Sequence, residues 1–176
     1  LNICYNICNG VLIMNLIFLD VDGVLNSSRK LREVWELTHK PHSGYSYPFD
    51  ERCLENLRLL VRETNSKMVI TSTWRKDEVG RSTLLKVLSE YELDNRVIGY
   101  TPVLDETRGI EIKQFLISLK ETANFIILDD DSDMGELMPF FIKTNKQVGL
   151  TYENVQEAII KLNKTKIKEN EEDLER

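Results

Sequence analysis

The chain has 176 residues, 41% of them apolar and 30% charged, enough for one domain with its own core and unlike collagen, low-complexity disorder or a disulfide scaffold. A net charge of −6 and a pI near 5.1 exclude the global basic field that holds duplex nucleic acid by counterion release, though not a local basic groove. Cys4, Cys8 and Cys53 are the three cysteines; so few, and odd in number, they point to free thiols and a reducing, cytoplasmic setting.

Residues 1–13 contain no Met, Lys or Arg and read as an N-terminal extension outside the core. The domain is expected to span 14–163, followed by a charged C-terminal tail over 164–176. The apolar run Val11–Leu19 is interrupted by Asn15 and stopped by Asp20. It is far shorter than the ~20 residues a spanning helix needs, so no membrane segment is expected. Leu16–Leu19 fits a buried strand with Asp20 at its carboxyl end. Residues 27–49, with Pro41, Gly44 and Pro48, form the longest irregular stretch. A helix is predicted behind Asp50 as its cap, from the stripe Leu54, Leu57, Leu60 and Val61. Lys67–Ile70 followed by Thr71 repeats the strand pattern. The stripe Leu84, Leu85, Val87, Leu88, Tyr91 predicts a second helix, with a weaker strand at Arg96–Gly99. Ile110, Ile112, Phe115, Leu116 and Leu119 predict a third helix. Phe125–Leu128 is a strand ending in Asp129, Phe140–Lys143 is a weaker one, and Val155, Ala158, Ile159 and Leu162 predict a last helix capped by Thr151. Such alternation implies βαβ units and a mostly parallel sheet, an α/β fold.

Three of these strands end in acidic or hydroxyl residues: Asp20, Thr71, and Asp129 with Asp130. In an open parallel sheet, ligands sit beyond those strand ends. Asp20 and Asp22 lie two residues apart beside Gly23, and Asp129, Asp130, Asp131 and Asp133 add further acids. Carboxylates crowded at one edge repel unless a cation or a proton lies between them. Oxygen-only ligands suit Mg²⁺. The plainer alternative is that Asp22 or Asp133 merely caps a helix.

Phe18-Leu-Asp20-Val-Asp22-Gly-Val-Leu-Asn26 resembles the first motif, hhhDxDG, of the haloacid dehalogenase (HAD) superfamily of phosphohydrolases. Val69-Ile-Thr71-Ser72 resembles its second motif, Thr107-Arg108-Gly109-Ile-Glu-Ile112 its third, and Ile126-Ile-Leu-Asp129-Asp130 its fourth, in the right order. More narrowly, DVDGVLN, the run ending Trp74-Arg75, and Gly149-Leu-Thr151 resemble the small HAD domains of "Swiss Army knife" RNA-repair proteins.

The resemblance implies a Rossmann-like three-layer α/β/α sandwich and a Mg²⁺-dependent phosphatase working through an aspartyl phosphate. Asp20 would be the nucleophile, and Asp22 the acid that protonates the leaving oxygen and then activates water. Thr71, Ser72 and Arg108 would hold the phosphoryl group, with Lys113 as a fallback for Arg108. Asp20, Asp22, Asp129 and Asp130 would face the metal, with Asp133 behind them; the alternative register pairs Asp129 with Asp133. The intervals from Asp22 to Thr71 and from Thr71 to Arg108 are too short for a cap domain. The site is therefore expected to be capless or to carry a minimal lid from 27–49. That segment interleaves Arg29, Lys30, Arg32 and Lys40 with Trp35, Tyr45 and Tyr47, a pattern that could track single-stranded nucleic acid or simply form a surface helix and loop. Trp74 could touch substrate or pack under the following helix. The expected partners are phosphorylated substrates, nucleic-acid ends or nucleotides among them. Two other readings stay open: a receiver-like phospho-acceptor module, and a catalytically silent HAD-fold binding domain.

Overall fold

The computed structural model describes residues 6–8, 11–119 and 122–174, with side chains over 13–119 and 122–163. The strands are β1 (Asn6–Cys8), β2 (Val11–Leu19), β3 (Lys67–Ile70), β4 (Val97–Tyr100), β5 (Ala123–Asp129) and β6 (Phe141–Lys143). Five of them form a parallel sheet in the order β4–β3–β2–β5–β6, and β1 pairs antiparallel with the start of β2. β2 is central because it is apolar on both faces: Leu16, Ile17, Phe18 and Leu19 are all fully buried. Such a run suits a strand covered on both sides.

The helices are α1 (Ser28–Thr38), α2 (Glu51–Thr64), α3 (Glu78–Glu90), α4 (Arg108–Ser118) and α5 (Tyr152–Leu174). Strand alternation sends Ile17 and Leu19 to a core shared with Leu54, Leu57, Leu84, Leu88, Val155 and Ala158, which belong to α2, α3 and α5. Leu16 and Phe18 point the other way, to Ile112 of α4 and Met134 and Phe141. Two helical layers thus enclose the sheet in a Rossmann-like α/β/α sandwich, and no cap domain is inserted among the described residues.

Several elements differ from the sequence expectation. β2 starts at Val11, so backbone pairing reaches into the 1–13 segment, and Ile13 is buried. α5 runs to Leu174, through the expected tail. The stretch 27–49 is not irregular throughout: α1 occupies half of it. Ser27 caps α1 by accepting a hydrogen bond from Lys30 N at 3.1 Å, and the helix ends at His39 in the left-handed region, φ 52°. No α1 residue is buried, so the helix has no core stripe to betray it. Ile110 is 47% exposed rather than part of the α4 core face.

Candidate active site

Sheet register sets the level of the site. Leu19 pairs with Ile70 on one side and Leu128 on the other, so the next residues, Asp20, Thr71 and Asp129, emerge together at the carboxyl edge. The backbone closes around them: Thr71 N donates to Leu19 O at 2.9 Å, and Asp20 N to Leu128 O at 3.0 Å. After Asp20 the chain turns through Gly23, at φ +74°. Gly23 N donates to Asn26 Oδ1 at 3.0 Å, and Thr144 Oγ1 donates to Gly23 O at 2.8 Å.

Arg108 opens α4 and reaches back over this edge. Its Nη1 lies 2.9 Å from Asp20 Oδ1, 3.0 Å from Thr71 Oγ1 and 3.2 Å from Asp129 Oδ2. Burial opposes its charge, but Asp20 and Asp129 outweigh that and raise its pKa further. The start of α4 is fixed by Asp133, whose Oδ2 accepts from Arg108 N at 2.9 Å and whose carbonyl accepts from Gly109 N at 3.2 Å. Gly109 is required there, since a Cβ would sit 2.3 Å from the Met134 carbonyl oxygen. Asp133 is thus a helix anchor, the plainer of its two expected roles.

Asp20, Asp129 and Asp130 bring carboxylate oxygens within 4.8 Å of one another. Burial first, and Asp20 second, push Asp129 up to about 7 against the pull of Arg108. Asp130 is raised by the same two causes. Asp129 Oδ2 is buried and makes no hydrogen bond, its charge met by Arg108 at 3.2 Å. Oxygen-only donors, crowded charge and a buried carboxylate oxygen without a hydrogen bond all fit a hard divalent cation such as Mg²⁺.

The Asp22 carboxylate lies outside that cluster of side-chain oxygens. Its carboxylate is exposed, with Oδ1 accepting from Asn26 Nδ2 at 2.7 Å and Oδ2 from Trp74 Nε1 at 3.0 Å. Ser72 is buried and accepts from Trp74 N at 3.4 Å, capping the short 3-10 turn Thr73–Lys76. Lys113 is no substitute for Arg108. Five residues along a helix rotate it ~140° away, and it pairs with Glu136 at 2.7 Å on the surface. Of the basic residues in 27–49, Arg29 pairs with Asp50 at 3.0 Å and Lys30 with Glu51 at 2.6 Å, so both are occupied by structural ion pairs.

Two residues named in the sequence, Trp74 and Arg75, support the site in ways their adjacency to Thr71 did not specify. Trp74 is buried under Tyr45 and Phe49, yet its indole N–H reaches Asp22. Arg75 donates to the carbonyls of Thr71, Ser72 (2.9 Å), Thr101 (3.0 Å) and Pro102 (3.1 Å), and pairs with Glu111 of α4. It ties the end of β3 to the helix that carries Arg108. The only sequence signal was their adjacency to Thr71.

Acids at one parallel-sheet edge, a hydroxyl on the neighbouring strand and a guanidinium from the start of α4 thus make up the candidate site. The sequence over residues 16–155 matches the family described as HAD domain in Swiss Army Knife RNA repair proteins, and the chain belongs to that family. Among curated proteins none matches the sequence. Among solved structures, a haloacid dehalogenase-like family hydrolase from Streptococcus pneumoniae is similar at 16% identity and a TM-score of 0.46, over 83% of this chain and 90% of that one.

Proposed function

We propose that the protein is a Mg²⁺-dependent phosphomonoesterase that works through an aspartyl phosphate on Asp20. The observation that carries this reading is the Asp20 carboxylate itself, buried at the sheet edge, bonded to Arg108 and clustered with the carboxylates of Asp129 and Asp130. Arg108 and Thr71 offer donors for phosphoryl oxygens, and the three acids offer oxygens for a cation. Asp20, Asp129 and Asp130 would hold Mg²⁺, which when bound supplies charge neutralisation for the acids and the phosphoryl group.

The protein's own groups then divide the work. Asp20 Oδ attacks phosphorus while the bond to the leaving oxygen breaks. Protonated Asp22 gives its proton to that oxygen, and an alcohol departs. Arg108 and Thr71 hold the phosphoryl oxygens. Thr71 Oγ1 accepts from Arg108, which leaves its own O–H to donate. Asp22 next takes a proton from water, which attacks the phosphorus and releases phosphate and the free Asp20 carboxylate. Asn26 and Trp74 keep the Asp22 carboxylate at the mouth of the site, where a leaving group exits.

The family's description and the lack of an inserted cap favour phosphorylated nucleic-acid ends or nucleotides as substrates. Cytoplasmic residence belongs to the same reading. It is supported by Cys53, a free buried thiol whose pKa burial pushes up to about 12, so that it stays protonated and unreactive. No helix among the described residues is long and apolar enough to cross a membrane. The test is phosphate release from phosphomonoesters with and without Mg²⁺. Release should require Mg²⁺ and vanish in a folded Asp20→Asn variant; undiminished release in that variant would overturn the mechanism.

A further inference from the structure

A pocket of about 550 Å³ opens beside Asp22 and Asp130, lined by the rings of Tyr45, Tyr47 and Trp74 and by Lys146. A second depression of about 590 Å³ is lined by Asp130, Lys143 and Lys146. The two share Asp130 and Lys146, so they adjoin along one edge of the site.

The three rings are not equivalent. The Tyr45 hydroxyl donates to Asp77, and the Tyr45 ring packs edge-on against Trp74 at 4.9 Å. The Trp74 indole N–H is committed to Asp22. Tyr47 is half-buried, and among the described residues its side chain makes no hydrogen bond and no ring pair. Lys146 and Lys143 are exposed and form no ion pair among the described residues. The charge of Lys146 is nevertheless felt at Asp130, whose pKa it draws down against burial and Asp20.

We propose that this pocket is the leaving-group site and takes the terminal nucleoside of a phosphorylated single strand. Tyr47 stacks on its base, and Lys146 with Lys143 receives the next phosphate. The inference rests on the phosphomonoesterase reading and adds to it the chemistry of the leaving group. The volume is that of a small-molecule site. An uncommitted ring wall beside the leaving-group acid suits a flat π-face, and stacking of this kind tolerates any base. A sugar phosphate leaves the rings unmatched. A phosphotyrosine peptide matches them but brings no obligatory second anion for the lysines. A mononucleotide leaves the second depression empty. In a chain of net charge −6, two unpaired lysines along one groove give a polyanion a local track.

The experiment compares kcat/KM for a single-stranded hexanucleotide phosphorylated at its 5′ or its 3′ end, the matching mononucleotide, ribose 5-phosphate and a phosphotyrosine peptide. The wild-type protein should rank the first two above ribose 5-phosphate, with the hexanucleotide highest. Tyr47→Ala should lower the nucleotide-to-ribose-phosphate ratio roughly tenfold, the expected loss of one base–aromatic stack. Lys146→Ala should lower the hexanucleotide-to-mononucleotide ratio and reduce the salt slope of binding by about 1. A merely structural role for either residue would lower all substrates in parallel and leave the ratios intact. A wild-type ratio near one, an unchanged ratio in Tyr47→Ala, or preference for the peptide overturns the proposal. A binding arm uses a dye-labelled phosphorylated hexanucleotide on Asp20→Asn protein, where Tyr47→Ala should weaken Kd roughly tenfold. If the wild-type protein releases no phosphate from any substrate, the enzymatic reading fails, and the binding arm still decides the pocket: an unchanged Kd overturns it.

Discussion

Gly23 shows how one residue sets the geometry of the acids. Its φ of +74° is a left-handed conformation, and a Cβ there would stand 2.6 Å from Asp130 Cγ. Gly23→Ala should therefore cost ~1–2 kcal/mol in backbone strain and push Asp130 outward. The expected readout is a smaller Mg²⁺-induced rise in Tm than in the wild-type protein; an equal rise would show that Asp130 does not help hold the ion. At this scale, the residues legible in the sequence were those whose position follows from a strand end: Asp20, Thr71, Asp129 and Asp130 line up because register aligns them. Arg108 was legible as the first residue of α4. Trp74 was legible as a residue that packs or reaches the site, but its bond to Asp22 was not, because that bond comes from a fold-level approach between two strand-end turns. Lys113 misled because adjacency in sequence is not adjacency on a helix.

Among the elements, α2 carries more than its own stripe. Asp50, fully buried, caps the helix and accepts from Ser27 Oγ at 2.7 Å, Arg29 Nη2 at 3.0 Å and Arg52 Nε at 2.9 Å. One carboxylate thereby joins the caps of α1 and α2. Burial raises its pKa, but the hydrogen bonds from Arg52, Ser27 and Arg29 prevail and hold it at about 2, against an ordinary 3.8. A depressed carboxyl pKa stabilises the fold above the ordinary value and loses that contribution as pH falls through the depressed one. Asp50→Ala should cost ~3 kcal/mol in urea melts at neutral pH, for the lost cap and the stranded buried partners. The gap between wild type and variant should close as pH falls from about 4 toward 2, and a gap that persists would contradict the assignment. The cap at Asp50 was readable from sequence because a 3.6-residue stripe follows it. α1 was not, because its support is this hub rather than a buried face.

For the molecule as a whole, stability and the metal site are linked through Asp129. Its carboxyl titrates near 7 in the folded protein and near 3.8 when exposed, so the folded state binds the proton more tightly. In the absence of metal, stability should fall as pH rises from about 4 to about 7. Melting curves in EDTA should show that decline, Asp129→Asn should flatten it, and Mg²⁺ should reverse it near neutrality by binding only the folded acids. A flat profile in EDTA would mean that Arg108 alone balances the site. The sandwich and its parallel sheet were legible, because alternating apolar runs fix them. The reach of β2 back to Val11 was not, because pairing with β1 leaves no trace in hydropathy.

Asn26 and Phe49 face each other as an antiparallel bridge. The chain therefore leaves the sheet framework and returns to it at one place, while Ser28 N and Arg29 N are held by the carbonyls of Lys146 and Gln147. The stretch between, with Tyr45 and Tyr47, can change in length and composition while the strands keep their register, since lengthening a closed surface loop adds little entropy cost. The acids thus sit on strand ends held by the sheet, and Tyr45 and Tyr47 on the surface loop. Changes in that loop would then alter what lies beside Asp22 without moving the strand-end acids.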